Sequence, residues 1–178
     1  MTNAELAILS LVAEQPRHGY ELEHIIAARG MRDWTEVGFS SIYYVLKKLE
    51  AVALVESQLE AAEQGPARRV YHVTPAGEAA LREGVLAALA TPSVGHAPLL
   101  LGIANLPAVP QMEALAALRQ YRTALDERLA HVQARWDAQK PLSYFVEALF
   151  TYSVTMIQAE RDWVAEFIKQ VEVHGGQD

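Results

Sequence analysis

The chain has 178 residues, of which 51% are hydrophobic and 21% charged, enough for one or two small domains with real cores. Its formal net charge of -7 creates no global field toward nucleic acid or an anionic membrane, so any such contact needs a local basic patch. It contains no cysteine, which excludes disulfides, thiol nucleophiles and cysteine-ligated metals.

The opening stretch, MTNAELAILSLVAEQ, has no basic leading segment and carries glutamates within its apolar run, so it does not read as a signal peptide. No apolar run approaches the roughly 20 residues of a membrane span. A cytoplasmic protein is expected. Leu6, Leu9 and Val12 recur at helical spacing, with Asn3 as cap and a stop near Gln15-Pro16. A second short helix follows, carried by Tyr20, Leu22, Ile25 and Ile26 and ended by Gly30. After the connector MRDWTEVGF, Ile42, Leu46 and Leu49 fall at i, i+4 and i+7, which predicts a third helix capped by Ser40 or Ser41.

LVESQLE and RRVYHVT read as two short strands by their alternation and β-branched content, joined through a hairpin tip at Gly65-Pro66. In TPAGEAAL, Thr74 caps a new helix and Pro75 suits its first turn. Three helices, a hairpin and a helix, in that order, make a winged helix-turn-helix with a two-stranded wing. Residues 91–110 are rich in Pro, Gly and small residues, with a short apolar helix expected in HAPLLLGIANL. Two long helices close the chain, parted by Pro141. The first carries one stripe: Leu118, Leu125, Leu129, Val132 and Trp136. The second carries two. Phe145, Leu149, Tyr152, Met156, Ala159 and Trp163 form a heptad-like seam, and Val146, Phe150, Ile157, Val164 and Ile168 run beside it. One packing neighbour needs one stripe, so the second predicts another subunit. The fold class expected is mostly α: a winged helix-turn-helix over residues 1–90 and a helical dimerisation and effector domain over 91–178.

With Ile42, Leu46 and Leu49 turned inward, Ser40, Tyr43, Tyr44 and Lys47 share the outward stripe of the third helix, flanked by Ser41 and Lys48. Short hydrogen-bonding residues at the start of a helix suit base edges in the major groove, and hydroxyls and cations further along suit phosphates. Arg68 and Arg69 follow the hairpin tip, where a wing meets flanking DNA, and Tyr20 opens the second helix beside its backbone amides. Against this stands an acidic balance. Met1 to Glu83 holds eight Lys/Arg and twelve Asp/Glu, a net of -4, so acids such as Glu5, Glu14, Glu56 and Glu60 must face away from DNA.

Three ordered motifs, HGYEL (18–22), SSIYYVLKKLE (40–50) and GPARRVYHVTPAG (65–77), resemble the PadR family of bacterial transcriptional regulators. They match the start of its second helix, its recognition helix, and its wing with the following helix entry. The long C-terminal half resembles the family's longer branch in size and helicity. One departure is visible: Ser40 and Tyr44 stand where many members have the Gly and Pro of a pattern like GSIYPAL. The resemblance implies a homodimeric repressor that binds an inverted-repeat operator and is released by a small phenolic or aromatic molecule.

Two other readings compete. One is a winged-helix module for protein contacts without DNA binding, which the acidic balance favours and the outward stripe opposes. The other is an enzyme. The six histidines lack metal-ligand spacing, and there is no Gly-rich phosphate loop or Gly-x-Ser-x-Gly elbow, so no catalytic residue, metal or cofactor is expected. For the effector, a pocket between the winged helix and the long helices is expected, with Trp34 as an aromatic wall and Arg29 or Arg32 pairing a ligand carboxylate.

Overall fold

In the computed structural model, residues 1–33, 35, 38, 41–60, 68–92 and 98–174 are described. The chain divides into two compact units, Met1–Val94 and Gly95–Asp178.

The first unit runs α1 (Asn3–Glu14), β1 (Arg17–His18), α2 (Gly19–Ala28), a 3-10 turn at Met31–Asp33, α3 (Ser41–Ala51), β2 (Val55–Glu60), β3 (Arg68–Val73) and α4 (Pro75–Ala90). Helix α1 starts one residue earlier than expected. Thr2, in extended conformation, is its cap, and Asn3 is the first helical residue. Thr2 and Glu5 bond reciprocally: the Glu5 N–H donates to the Thr2 hydroxyl at 3.2 Å, and the Thr2 N–H to the Glu5 carboxylate at 2.8 Å. The wing also differs. It belongs to a three-stranded antiparallel sheet in the order β1-β3-β2, because Arg17 and His18 pair with Tyr71 and Val70. Two residues are too few to show an alternation. The strand is held instead by buried Arg17, which donates through Nε to the Leu11 carbonyl at 2.9 Å and through Nη2 to Glu14 at 3.0 Å.

Ile8, Leu11, Leu22, Ile26, Ile42 and Leu46 form the centre of this unit's core and are essentially fully buried. Each contributes on the order of 1.5–3 kcal/mol by leaving water. Ile42, Leu46 and Leu49 therefore face inward, as their spacing predicts. Helix α2 ends at Gly30, in the left-handed region at φ 60°. Helix α3 ends in a Schellman motif: the Leu54 N–H reaches the Leu49 carbonyl at 2.9 Å and the Ala53 N–H the Glu50 carbonyl at 3.0 Å. The left-handed position of that motif, φ 56°, is held by Ala53 rather than glycine. The start of α4 locks onto the same turn. Thr74 caps it, accepting the Gly77 N–H at 3.0 Å and donating to the Ala53 carbonyl at 2.7 Å. A Cβ at Gly77 would lie 2.0 Å from the Leu54 carbonyl oxygen, which explains the glycine of TPAG.

The second unit has α5 (Pro98–Ala104), a 3-10 turn at Leu106–Ala108, α6 (Gln111–Gln139) and α7 (Tyr144–His174). Helices α6 and α7 pack antiparallel, tied at successive levels by Gln111 to the Val171 carbonyl (2.8 Å), Tyr121 to Glu160 (2.6 Å) and Arg161 to Asp126 (3.6 Å). Leu118, Leu125, Leu129 and Val132 meet Ile157, Val164 and Ile168 in the buried seam, and Trp136 stacks on Phe150 at 6.1 Å between ring centroids.

Candidate nucleic-acid interface

Helix α3 presents its polar face as a direct result of how it packs. Tyr43 and Tyr44, 57% and 69% exposed, stand outward with Lys47. The two lysines part company. Lys48 Nζ lies 2.5 Å from the carboxylate of Glu5, which is buried on α1, whereas no ion pair engages Lys47 among the described residues. Lys48, expected to flank the stripe, thus also fastens α3 to α1. The Lys48 hydrogen bond holds the Glu5 carboxyl below its ordinary value, with the Thr2 N–H adding to the effect and burial opposing it. Ser41 is the first helical residue, and its hydroxyl donates to the Gly38 carbonyl at 2.5 Å, so it does not cap the helix. Ser40 lies outside the described residues, as do Trp34 and the hairpin tip Gly65-Pro66.

The wing arginines also take different roles. Arg69 donates to the Ser57 hydroxyl at 3.1 Å and sits 3.6 Å from Glu50 of α3, whose carboxylate also accepts from Ser57. This chain ties the wing to α3 and offsets part of the Arg69 charge. Arg68 leans toward β1, with Nη1 3.5 Å from His18 Nε2, and no carboxylate pairs with it among the described residues. Tyr20 is 60% exposed and packs edge-on against His24 at 4.3 Å. Together His18, Gly19, Tyr20, Tyr43, Arg68, Arg69 and Tyr71 line an open cleft of about 520 Å³ between the start of α2, α3 and the wing. His18 has no place in the sequence-based site. Its signal was the Glu three residues on in HGYEL, a capping box with histidine in the cap position.

Two of the acidic residues of α1 are paired with cations. Glu5 holds Lys48, and Glu14 bridges Arg17 and Arg29, the latter through two bonds of 2.6 and 2.9 Å. Arg29, expected to pair a ligand carboxylate, here holds Glu14, and its guanidinium closes the end of α2 onto α1. Arg32 lies in the 3-10 turn after α2. On α7, Phe145, Leu149, Tyr152, Met156 and Trp163 are 45–69% exposed, while the neighbouring stripe is buried against α6. Among the described residues, no group of three or more His, Asp or Glu could hold a metal, and no helix is long and apolar enough to cross a membrane.

Residues 8–83 match the profile of the family described as Transcriptional regulator PadR-like. The transcriptional regulator Rv3488 of Mycobacterium tuberculosis is 40% identical over 78 residues, 44% of this chain and 68% of that protein. The chain belongs to the PadR-like family. As a PadR-like protein it is a transcriptional regulator and not an enzyme. The likeness of fold extends further than the sequence profile. Bacillus subtilis PadR in complex with operator DNA superposes with a TM-score of 0.76 at 17% identity, over 94% of this chain and 98% of that one. The same protein in complex with p-coumaric acid gives 0.77 at 17% identity over the same shares. The PadR-like regulator BC1756 of Bacillus cereus gives 0.71 at 13% identity, over 96% and 98%. The winged helix followed by long C-terminal helices is thus the PadR fold.

Proposed function

We propose that this PadR-like chain is a homodimeric repressor that binds an inverted-repeat operator and is released by a small aromatic acid. The observation that carries the DNA reading is an outward Tyr43-Tyr44-Lys47 stripe on α3, of which Tyr43 shares one cleft with Arg68 and Tyr20. In this reading α3 enters the major groove, Lys47 and the tyrosine hydroxyls hold phosphates, Ser40 and Ser41 meet base edges, and Arg68 and Arg69 touch the flanking backbone. The unit Met1–Val94 binds DNA, and Gly95–Asp178 supplies the dimer contact.

The exposed α7 seam supports the dimer. Five large apolar residues along one helix face exceed what a soluble monomer ordinarily leaves in water. A two-fold partner buries that face against its own copy and sets two recognition helices about one DNA turn, roughly 34 Å, or a multiple of it apart. The effector reading draws on the family resemblance and on the p-coumaric acid complex of Bacillus subtilis PadR. Trp34 and Arg32 are the side chains proposed for it. The ligand acts only through a higher affinity for the arrangement that does not bind DNA.

The test is an electrophoretic shift on the DNA upstream of the chain's own gene, with and without aromatic acids. Retarded DNA that is released by one such acid is the expected result. Wild-type affinity in both Tyr44→Ala and Lys47→Ala, with folding intact, overturns the assignment of the face. A protein that binds no duplex but captures a protein partner through α3 returns the winged-helix contact module.

A further inference from the structure

His18 meets a different neighbour at each of its ring nitrogens. Its Nδ1 accepts the Glu21 N–H at 3.2 Å, capping α2. A neutral imidazole that accepts at Nδ1 carries its proton on Nε2, so Nε2 is a donor. The group facing that donor is another donor: Arg68 Nη1, 3.5 Å away. Among the described residues, the acceptor recorded beside it is Glu21 Oε2, also 3.5 Å from Nε2 and already bonded by the His18 backbone N–H at 3.0 Å. Both 3.5 Å separations are longer than an ordinary N–H···O bond. Two donors turned toward each other at the mouth of an open cleft, one of them a guanidinium without a carboxylate among the described residues, suit a single acceptor placed between them. Of the backbone N–H groups that open α2, the capping box uses those of His18 and Glu21.

We propose that His18 and Arg68 together seat one phosphodiester group of the DNA backbone, with the Tyr20 hydroxyl at its rim. This rests on the reading of the chain as a DNA-binding protein and adds to it a contact, His18, that holds position without reading sequence. The seat joins β1 to β3, so it links the entry of α2 to the wing, the two parts of the unit that flank the recognition helix.

The test compares wild type with His18→Ser, His18→Asp and Arg68→Ala on two labelled duplexes of equal length, the operator and a scrambled sequence, by fluorescence anisotropy across a salt series. Ser and Asp are both strong helix caps, so each keeps α2. A role in capping alone leaves both variants at wild-type affinity. The seat instead gives a loss of about tenfold in His18→Ser, equal on both duplexes, and a larger loss in His18→Asp, whose carboxylate repels the phosphate. Arg68→Ala lowers the log-log salt slope by about 0.9, and His18→Ser costs less in that background than in wild type. Wild-type binding by both His18 variants removes the seat alone. A change in the ratio of operator to scrambled affinity also overturns it, since a phosphate contact carries no sequence information. A wild-type protein that binds neither duplex removes the DNA reading and the seat with it.

Discussion

A single methyl group at Gly19 separates the stability of the winged helix from its proposed DNA contact. A Cβ there would lie 2.5 Å from Tyr43 Cε1, 2.9 Å from Cζ and 3.2 Å from Cδ1. Carbon atoms settle about 3.5–4.0 Å apart, so in Gly19→Ala the ring has to retreat by about 1 Å. Tyr43 is 57% exposed, and its ring can swing into solvent at little cost. Gly19 is not at positive φ, so alanine there also narrows the unfolded ensemble, a gain of about 0.4–1 kcal/mol. The melting temperature followed by circular dichroism is therefore expected to hold or rise. Operator affinity is expected to fall. A hydroxyl moved by that distance loses its bond to a phosphate, a contact worth about 1.5–3 kcal/mol, which corresponds to about 10- to 100-fold in Kd by anisotropy. Because the effect runs through one ring, Gly19→Ala adds nothing once Tyr43→Ala is present. An equal loss of affinity in the Tyr43→Ala background, or unchanged affinity in Gly19→Ala alone, refutes the reasoning.

Ala53→Gly removes the strain of a left-handed alanine at the end of the recognition helix and is expected to stabilise the protein by about 1 kcal/mol, read as a higher denaturant midpoint at constant slope. Replacing Leu149 and Met156 by lysine leaves the buried stripe of α7 intact and is expected to give a monomer by light scattering, since the two side chains together bring about 3 kcal/mol or more to a two-fold contact, at least about a hundredfold in its Kd. Stability measured against pH has two edges. The Lys48 bond to Glu5 and the Arg29 bond to Glu14 hold both carboxyls below 4.5, so their contribution is present above pH 4.5 and is lost as pH falls through the lowered folded values; Glu5→Gln is expected to blunt this acid edge. At the alkaline end, donation to the Glu160 carboxylate pushes the Tyr121 phenol from 10.0 up to about 12, so its contribution is full below pH 10.0 and fades as pH rises through about 12, an edge that Tyr121→Phe is expected to remove.

The order of helices and strands, the inward face of α3 and the two stripes of α7 were legible in the sequence, because each rests on a period repeated over a few turns of one segment. The heptad-like steps from Phe145 to Trp163 identified an apolar face distinct from the one that α6 buries, and the structure leaves it exposed. The HGYEL, SSIYYVLKKLE and GPARRVYHVTPAG motifs carried the family. What the sequence left open depends on atoms far apart in the chain. Lys47 and Lys48 are adjacent and chemically alike. Which of them is drawn inward depends on where α1 sets the buried Glu5, 43 positions away from Lys48 in the numbering of the chain. Arg29 reads as a free cation until the close of α2 brings it to Glu14. β1 has too few residues for any alternation, and it exists because β3 offers an open edge and Arg17 a buried anchor. His18 becomes a candidate only when pairing with Val70 sets its ring against Arg68, fifty residues on. Periodicity and capping act within a turn or two of backbone and can be read along the chain; charge pairing and tautomer choice are settled by whichever groups the packed core brings within about 4 Å.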